Sequence, residues 1–355
     1  MEPVMTPRST PWLLSGLFSL VVAGGAAAQT ADPRLTVMTY NVENFFDAED
    51  DPRMPNGSSN EVVNTPAWVS AKATNVARVI ERFDFGRGPD VLVLTEVESQ
   101  ASLEAIKGAL NNTGAAYVTA VLLDADPNRP APKPDQRGIK VALLSKLPLA
   151  NGFTPKSFPV DLTRTSDCKS RDGSAGTTRD LLQVDLALPD GKTLTIFGGH
   201  LPSGGNPRIC REIAAQTIAT LATKLPQSHV ILAAGDFNFN CAPDERKGLA
   251  AAFTGWVLPA QLDNACRGNG SQFYGREKTW SYLDVITQKA SGASQAWAID
   301  PKSFRTVLTD NEQLQWDDRD QVMRPKAFRF NAETGKGSGT SDHWPIAIDL
   351  VRGGK

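Results

Sequence analysis

The chain of 355 residues has little of what builds a zinc site: four cysteines, none of them in a Cys-x-x-Cys pair, and three histidines. Zinc is therefore a poor candidate for a bound metal. An excess of one charge is missing as well, because 37 Lys and Arg stand against 39 Asp and Glu, for a formal net charge of −2. A protein so close to neutral has no global positive field for nucleic acid, and any basic patch must be local.

Long hydrophobic runs are also missing, except for one near the N terminus. Arg8 precedes an almost wholly apolar stretch over 12–23, and three alanines follow at 26–28. This order predicts a signal peptide over residues 1–28 and a single domain over residues 29–355. The stretch is shorter than the roughly 20 residues that cross a bilayer, although an uncleaved anchor is the alternative. We therefore expect an exported protein, periplasmic or extracellular, without stable membrane insertion.

Four cysteines in an exported protein predict two disulfides, for which three pairings are open. We favour Cys241 with Cys266, because they are near in sequence, and this leaves Cys168 with Cys210. Each bridge would contribute about 3–4 kcal/mol in the loop-entropy description. The expected role of the cysteines is structural.

Apolar runs predict strands throughout the chain, and several are apolar on both faces, as in strands covered by other layers. The runs are 35–42, 90–95, 117–123, 139–145, 181–188, 193–198, 230–234, 281–287 and 344–351. Apolar residues at helical spacing predict helices that begin at 65–66 and 206–207, and a shorter helix over 102–111. Three other stretches, 124–138, 151–180 and 300–340, are expected to be long surface loops. The pattern predicts an α/β protein with two packed sheets and helices outside them.

Polar residues at the ends of these strands are the candidates for chemistry, since a strand fixes the direction of the side chain that follows it. They are Asn41, Glu96, His200, Asp236, Asn238, Asp284, Asp342 and His343. Taken singly, each has a structural alternative: a Glu after a strand as a cap, an Asp after Gly as a turn residue, a buried Asp as a satisfied acid. His229 precedes a strand without acidic neighbours, and we interpret it as structural.

The order of the motifs resembles the endonuclease/exonuclease/phosphatase superfamily from residue 35 to residue 351. The motifs are Tyr40-Asn41-Val42, Leu94-Thr95-Glu96, Arg137-Gly138-Ile139, His200-Leu201-Pro202-Ser203, Gly235-Asp236-Phe237-Asn238, Leu283-Asp284 and Ser341-Asp342-His343. The resemblance implies a four-layer α/β/β/α sandwich like that of deoxyribonuclease I, in which helices flank two packed, mostly antiparallel sheets. It also implies a metal-dependent phosphoesterase whose site lies at one edge of the two sheets.

The resemblance assigns roles to the candidate residues. Glu96 and Asn41 would bind the metal, and Asp342 would either bind it or brace the site. Asp236 would orient or deprotonate the attacking water, and Asn238 would donate to the phosphorane or position the water. His343 would contact the scissile phosphate while Asp284 orients it, and His200 would be a second phosphate-contacting histidine.

Charge gives an independent reason to expect a cation at such a site. Four acids next to a phosphate would repel it, by about 4 kcal/mol for one carboxylate at ~4 Å and an effective dielectric of 20. Carboxylate and amide oxygens favour Mg²⁺ or Mn²⁺, with Ca²⁺ as an accessory ion. Arg137 and Arg179 are candidates for substrate binding, because Arg makes bidentate contacts with phosphate, although ion pairing with nearby acids is an equal alternative for each.

The substrate is less determined than the chemistry. Export and His200 favour a nuclease, so the expected partner is a phosphate ester and above all nucleic acid, DNA or RNA. The alternative is a phosphodiesterase or phosphatase for lipid head groups or small esters, with Trp316 as the nearest candidate for membrane contact. A binding module on an inactive scaffold is the third, but every motif position is filled. Nothing in the sequence indicates a protein partner.

Overall fold

The computed structural model describes residues 34–51, 62–111, 116–124, 137–169, 178–259, 270–290 and 297–353. All of them belong to one compact unit, Asp32–Lys355. The expected signal peptide over 1–28 lies outside the described residues. Among the described helices, none is both long enough and apolar enough to cross a membrane.

The described residues contain four α-helices and eighteen β-strands. The helices are α1 (Pro66–Glu81), α2 (Gln100–Asn111), α3 (Arg208–Thr223) and α4 (Pro243–Ala252). The first nine strands are β1 (Arg34–Phe45), β2 (Val91–Val97), β3 (Thr119–Leu122), β4 (Lys140–Ser145), β5 (Lys156–Phe158), β6 (Leu181–Ala187), β7 (Thr193–His200), β8 (Val230–Asp236) and β9 (Trp256–Val257). The others are β10 (Gln272–Tyr274), β11 (Thr279–Ser281), β12 (Asp284–Lys289), β13 (Trp297–Thr306), β14 (Leu314–Asp317), β15 (Val322–Pro325), β16 (Arg329–Asn331), β17 (Lys336–Ser338) and β18 (Ile346–Arg352).

Two mixed sheets of six strands form the centre of the protein. Their strand orders are β13-β18-β1-β2-β4-β3 and β5-β6-β7-β8-β12-β9. Within them β1 pairs with β2, and β7 with β8, in parallel, while the other pairs are antiparallel. Three separate hairpins, β10–β11, β14–β15 and β16–β17, complete the strand pairing.

Side chains alternate in direction along each strand, and this alternation produces the layers. In β1, Val37 packs in the core that the two sheets share, whereas its neighbour Met38 packs on the other face with residues of α1 and α2. Ile218 of α3 joins the core of the second sheet. Because successive side chains of a strand point to opposite faces, one sheet can contact both a helix layer and the other sheet. The predicted four-layer sandwich is confirmed.

Local signals place the predicted helices correctly. Thr65 caps α1, since its hydroxyl accepts from the backbone N–H of Trp68 at 3.2 Å, and Pro66 occupies the first turn. Helix α3 begins directly after Pro207, as the sequence predicts. The nine predicted strands are all present, with boundaries that shift by a few residues. Helix α4 was not predicted.

The prediction of a surface loop over 300–340 is wrong. This segment completes β13 and contains the hairpins β14–β15 and β16–β17. Strand β13 lies at the edge of its sheet and buries only three of its ten residues. An edge strand of this kind has no continuous apolar run, so its pattern does not separate it from a loop. Residues 125–136 and 170–177 of the other two expected loops lie outside the described residues.

The predicted disulfide between Cys168 and Cys210 is present. It joins the segment after β5 to the first turn of α3. Cys266 lies outside the described residues, so its pairing with Cys241 stays a prediction.

Candidate active site

Two pairs of parallel strands end at the same edge of the sandwich. In the first sheet β1 and β2 carry Asn41 and Glu96 near their ends, and in the second β7 and β8 end at His200 and Asp236. Asp284 begins β12 opposite Asp236 in the antiparallel register. Strand β1 lies against β8 and β12 of the facing sheet. The sheet register therefore brings these five side chains to one place.

Glycines let the ends of β7 and β8 approach. Gly235 has a φ of +144°, which L residues rarely adopt, and a Cβ there would overlap the backbone of Gly199. Gly199 and Gly235 are register partners, and the next pair is His200 and Asp236. The absent side chains thus allow the two polar residues to leave the sheet side by side.

The amide of Asn41 joins two carboxylates. Its Nδ2 donates to Glu96 Oε1 at 3.2 Å and to Asp236 Oδ2 at 3.0 Å, while its Oδ1 accepts from the N–H of Glu43 at 2.9 Å. Glu96 Oε2 also accepts from the N–H of Asn44 at 2.7 Å. Asn41 thus offsets the repulsion between two acids that belong to different sheets.

Irregularities of the backbone orient the polar groups at the ends of β1 and β2. Glu43, Asn44 and Glu96 all have a positive φ, between 47° and 66°. The pairing of β1 with β2 shifts between Asn41 and Phe45, and that of β2 with β4 shifts between Thr95 and Val97. Bulges redirect side chains at sheet edges. Here they turn the N–H of Asn44 towards the carboxylate of Glu96.

Asp236 and Asn238 form one short turn after β8. Asp236 Oδ1 accepts from the N–H of Asn238 at 3.0 Å, and the Asn238 side chain donates to the carbonyl of Leu201 at 3.1 Å. Burial raises the pKa of Asp236 to about 7, and the nearby Asp284 and Glu96 raise it as well, whereas His343 and Asn41 lower it. A carboxylate with such a pKa is suited to take a proton from water near neutral pH.

Asp284 and His343 form a buried pair. Asp284 Oδ2 lies 2.8 Å from His343 Nδ1, and Asp284 is fully buried. Burial alone would lower the pKa of His343, but the charge and hydrogen bond of Asp284, together with Asp236 and Asp342, raise it well above its usual value. His343 is therefore an imidazolium at neutral pH, the form that attracts a phosphate.

The Ser-Asp-His segment is fastened to β1. Ser341 donates its hydroxyl to the carbonyl of Asn41 at 2.6 Å and accepts from the N–H of His343 at 3.1 Å. Ser341 is fully buried, whereas Asp342 between them is exposed. The segment thus places His343 inside the site and leaves Asp342 at its surface.

His200 has the opposite electrostatic state. Its Nε2 lies 3.7 Å from Asp236 Oδ2 and 3.9 Å from Glu96 Oε1. Burial lowers the pKa of His200 well below its usual value, and the positive charges of Arg179, Arg137 and His343 lower it further. The site therefore contains one cationic and one neutral histidine.

The two predicted arginines lie at the margin of the site. Arg137 donates to the side-chain oxygen of Asn44, and the buried Arg179 acts through its charge on His200. Both are close enough to affect the charge of the site.

Sequence reasoning missed Lys72 and Glu43. Lys72 of α1 is buried, donates to the carbonyl of Glu43, and has its pKa lowered by burial to about 8. The burial of Lys72 could have been predicted from the sequence. It follows Val69 by three residues and precedes Val76 by four, which places it on the buried face of the helix. Burial likewise raises the pKa of Glu43 to about 7.

The oxygen donors fit a hard divalent cation. Among the described residues no group of three or more His, Cys, Asp or Glu is arranged to hold a metal. Mg²⁺ usually binds one or two carboxylates and keeps several waters, so such a group is not needed. Glu96 and Asp236 share one amide donor, and Asp284 Oδ1 is buried without a hydrogen-bond partner. These carboxylates leave negative charge for a cation to balance, and Glu96, which the resemblance assigns as the metal ligand, lies among them.

Comparison with known proteins supports the family that the motifs resemble. The profile of the Endonuclease/Exonuclease/phosphatase family matches residues 36–352. Among curated proteins there is no match to the chain.

Several solved structures share the fold. A D. rerio TDP2 complexed with single strand DNA product is similar at 13% identity and a TM-score of 0.56, over 90% of this chain and 99% of the other. Sphingomyelinase C from Streptomyces griseocarneus is similar at 18% identity and a TM-score of 0.55, over 89% and 99%. An endonuclease/exonuclease/phosphatase from Beutenbergia cavernae DSM 12333 is similar at 18% identity and a TM-score of 0.55, over 90% and 72%.

Proposed function

Because the chain belongs to the endonuclease/exonuclease/phosphatase family, we propose that it is an exported, divalent-metal-dependent phosphodiesterase that cleaves nucleic acid. One observation carries the proposal: Asn41, Glu96, His200, Asp236, Asn238, Asp284 and His343 come from both sheets and meet at one edge. Among them, Asp236, His343 and Glu96 supply a proton acceptor, a cation for the phosphate and a metal ligand, which hydrolysis of a phosphodiester needs.

Asp236 is the group that accepts a proton from water. The backbone of Asn238 fixes its carboxylate, and its raised pKa keeps proton transfer feasible near pH 7. His343 faces the substrate as a cation that Asp284 orients and holds protonated, so it attracts the phosphate and stabilises charge that develops on it. A divalent ion on Glu96 would supply Lewis-acid stabilisation of a non-bridging oxygen.

Nucleic acid is favoured over other phosphate esters by two considerations. Arg137 and Arg179 add positive charge at the margin of the site, where the neighbouring parts of a polyanion would lie. In addition, the similar D. rerio TDP2 is complexed with single strand DNA product, so this fold accommodates a nucleic-acid strand.

A lipid phosphodiester is the second candidate. Trp316 and Met323 are paired in the hairpin β14–β15, and both are exposed. Exposed aromatic residues favour membrane interfaces, and sphingomyelinase C shares the fold. However, Asp317 and Asp318 directly follow Trp316. Asp317 pairs with Arg324 at 2.9 Å, whereas the carboxylate of the exposed Asp318 would be repelled by an anionic surface.

The test is hydrolysis of a panel by the purified protein. Plasmid DNA, RNA, sphingomyelin vesicles and a chromogenic bis-ester would each be incubated with Mg²⁺, Mn²⁺, Ca²⁺ or EDTA. We expect metal-dependent cleavage of nucleic acid, reduced by about 10²–10⁴ in His343→Ala and in Asp236→Asn. His229→Ala is the matched control, because His229 precedes β8 whereas Asp236 ends it.

Other outcomes would reject parts of the proposal. Near-normal rates in either site variant would refute the assignment of the site, and cleavage of sphingomyelin alone would refute the substrate. Export is tested separately, by fractionation of cells and N-terminal sequencing of the mature protein, which we expect to begin at Gln29. A mature chain that keeps its first residues would contradict export with cleavage at this point.

A further inference from the structure

A pocket opens next to the candidate active site. Its volume is about 450 Å³. We name it the flanking pocket, and its principal residues are Asn44, Trp68, Lys72, Arg137, Phe328 and Arg329. Asn44 belongs to both places, since its N–H holds Glu96 and its side chain accepts from Arg137. A ligand of the flanking pocket therefore lies beside the group bound at Glu96.

Positive charge dominates the flanking pocket. Lys72, Arg137 and Arg329 contribute three cations, and Glu43 is the one acid that lines it among the described residues. Glu43 is already engaged, because its Oε2 accepts from the N–H of Phe328 at 2.7 Å and its Oε1 lies 3.8 Å from Arg329 Nη1. The pocket is suited to an anion.

The aromatic faces of the pocket are already occupied by a cation. Trp68 and Phe328 meet edge to face at 5.2 Å, and Lys72 Nζ lies 5.3 Å and 5.1 Å from the two ring centroids. Such rings would otherwise attract a quaternary ammonium group. The buried ammonium of Lys72 repels a second cation there, so the pocket disfavours a choline head group.

The burial of Lys72 supports a ligand role. Its side chain is 1% exposed, its ammonium donates to the carbonyl of Glu43, and the charges of Glu43, Asp342 and Glu96 act on it. A buried ammonium needs negative charge near it, and a phosphate in the pocket would add to the charge of these acids. Arg329 lies at the mouth of the pocket with a side chain that is 77% exposed, and its Nη1 donates to the carbonyl of Phe328 at 2.8 Å, so its guanidinium is accessible to a phosphate at the mouth.

We propose that the flanking pocket binds the phosphate next to the scissile one, so that the substrate is a nucleic-acid strand with several phosphates and not an ester with one. The inference rests on the proposed function, because it takes the edge at Glu96 as the place of cleavage. The arginines supply planar forks for phosphate oxygens, and Lys72 supplies a fixed charge behind them.

The first test compares two substrates that differ in flanking phosphates. One is a dinucleoside monophosphate, whose only phosphate is the scissile one, and the other is an oligonucleotide with phosphates on both sides. Arg329→Gln should lower the ratio of kcat/KM for the oligonucleotide to kcat/KM for the small substrate about tenfold. Arg87→Gln is the matched control, since Arg87 is 64% exposed and precedes β2, at the opposite end of that strand from Glu96.

The second test needs no catalysis. Binding of a fluorescent single-stranded oligonucleotide in EDTA would be measured against salt concentration. Loss of one phosphate contact makes the slope of log K against log salt shallower by roughly 0.7, which we expect for Arg329→Gln and for Lys72→Met but not for Arg87→Gln. Circular dichroism would establish that each variant is folded.

The outcomes distinguish failure of the inference about the flanking pocket from failure of the proposed function. If the ratio and the slope of Arg329→Gln equal those of Arg87→Gln, the pocket does not bind a phosphate. Preferential hydrolysis of sphingomyelin by the unmodified protein would also overturn the inference. If the protein cleaves no ester with any metal, the proposed function fails, and the salt slope alone decides whether the pocket binds a flanking phosphate.

Discussion

Replacing Asp284 by Asn would remove the carboxylate that holds His343 and leave a side chain of nearly the same size. The two side chains are 2.8 Å apart and almost fully buried, so the change acts on charge more than on packing. Two unit charges about 4 Å apart at an effective dielectric of 20 interact by about 4 kcal/mol. This energy is the stabilisation of the imidazolium that the variant would lose.

The direction of the effect follows from the groups around His343. In the native protein the neighbouring carboxylates keep the pKa of His343 well above its usual value of 6.5, although burial alone would lower it. Without the charge of Asp284, only Asp236 and Asp342 among the groups that raise the pKa of His343 oppose the lowering by burial, and this pKa should fall. Fewer molecules would then carry the imidazolium at neutral pH, and the rate should fall by about tenfold or more.

The assay is a titration of the histidine signals by NMR in EDTA, together with a pH–rate profile. The chain has three histidines, so single substitutions can assign each signal. We expect the His343 signal of the native protein to stay protonated well above pH 6.5 and that of Asp284→Asn to lose its proton at lower pH than in the native protein, with activity recovering as pH falls. An unchanged His343 titration in the variant would refute the reasoning.

Three other predictions concern stability. Gly235→Ala should destabilise the protein by more than about 1 kcal/mol in urea unfolding, because the new Cβ would meet the backbone of β7. Gly152→Ala is the control, since Gly152 also has a positive φ but a Cβ there would lie in open space. Cys168→Ser should cost about 4 kcal/mol, since the bridge closes a loop of 42 residues, and an unchanged melting temperature would contradict this. Glu312→Gln should cost about 1 kcal/mol at pH 7, because Glu312 accepts from Lys326 and from the N–H of Gly339. These contacts lower the pKa of Glu312, so the difference should disappear as pH falls below its usual 4.5, and a difference that persists in acid would show that charge is not its cause.

Several elements of the fold follow from local sequence. The apolar runs of β1 and β2 and the helical spacing of apolar residues in α1 each lie within one short segment, so that segment contains the whole signal. The order of the motifs was also enough to indicate the family and the candidate residues, because strand ends carry the polar groups.

Other elements depend on neighbours that are distant in the chain. Strand β13 is defined by its pairing with β18, and the strands of the hairpins between them are short and mostly not buried, so no long apolar run marks them. A segment at the edge of a sheet needs one partner, not a hydrophobic face on both sides.

The sequence by itself determined the chemical groups of this protein: two histidines, four acids and two asparagines at the ends of strands. The tertiary structure decided their charge states, because burial and neighbours from 59 residues away make His343 a cation, while burial and distant arginines keep His200 neutral. It also decided that Lys72, a residue of a helix outside the motifs, reaches the edge of the site. Electrostatic energy depends on distance and on exclusion of water, and the fold alone sets both.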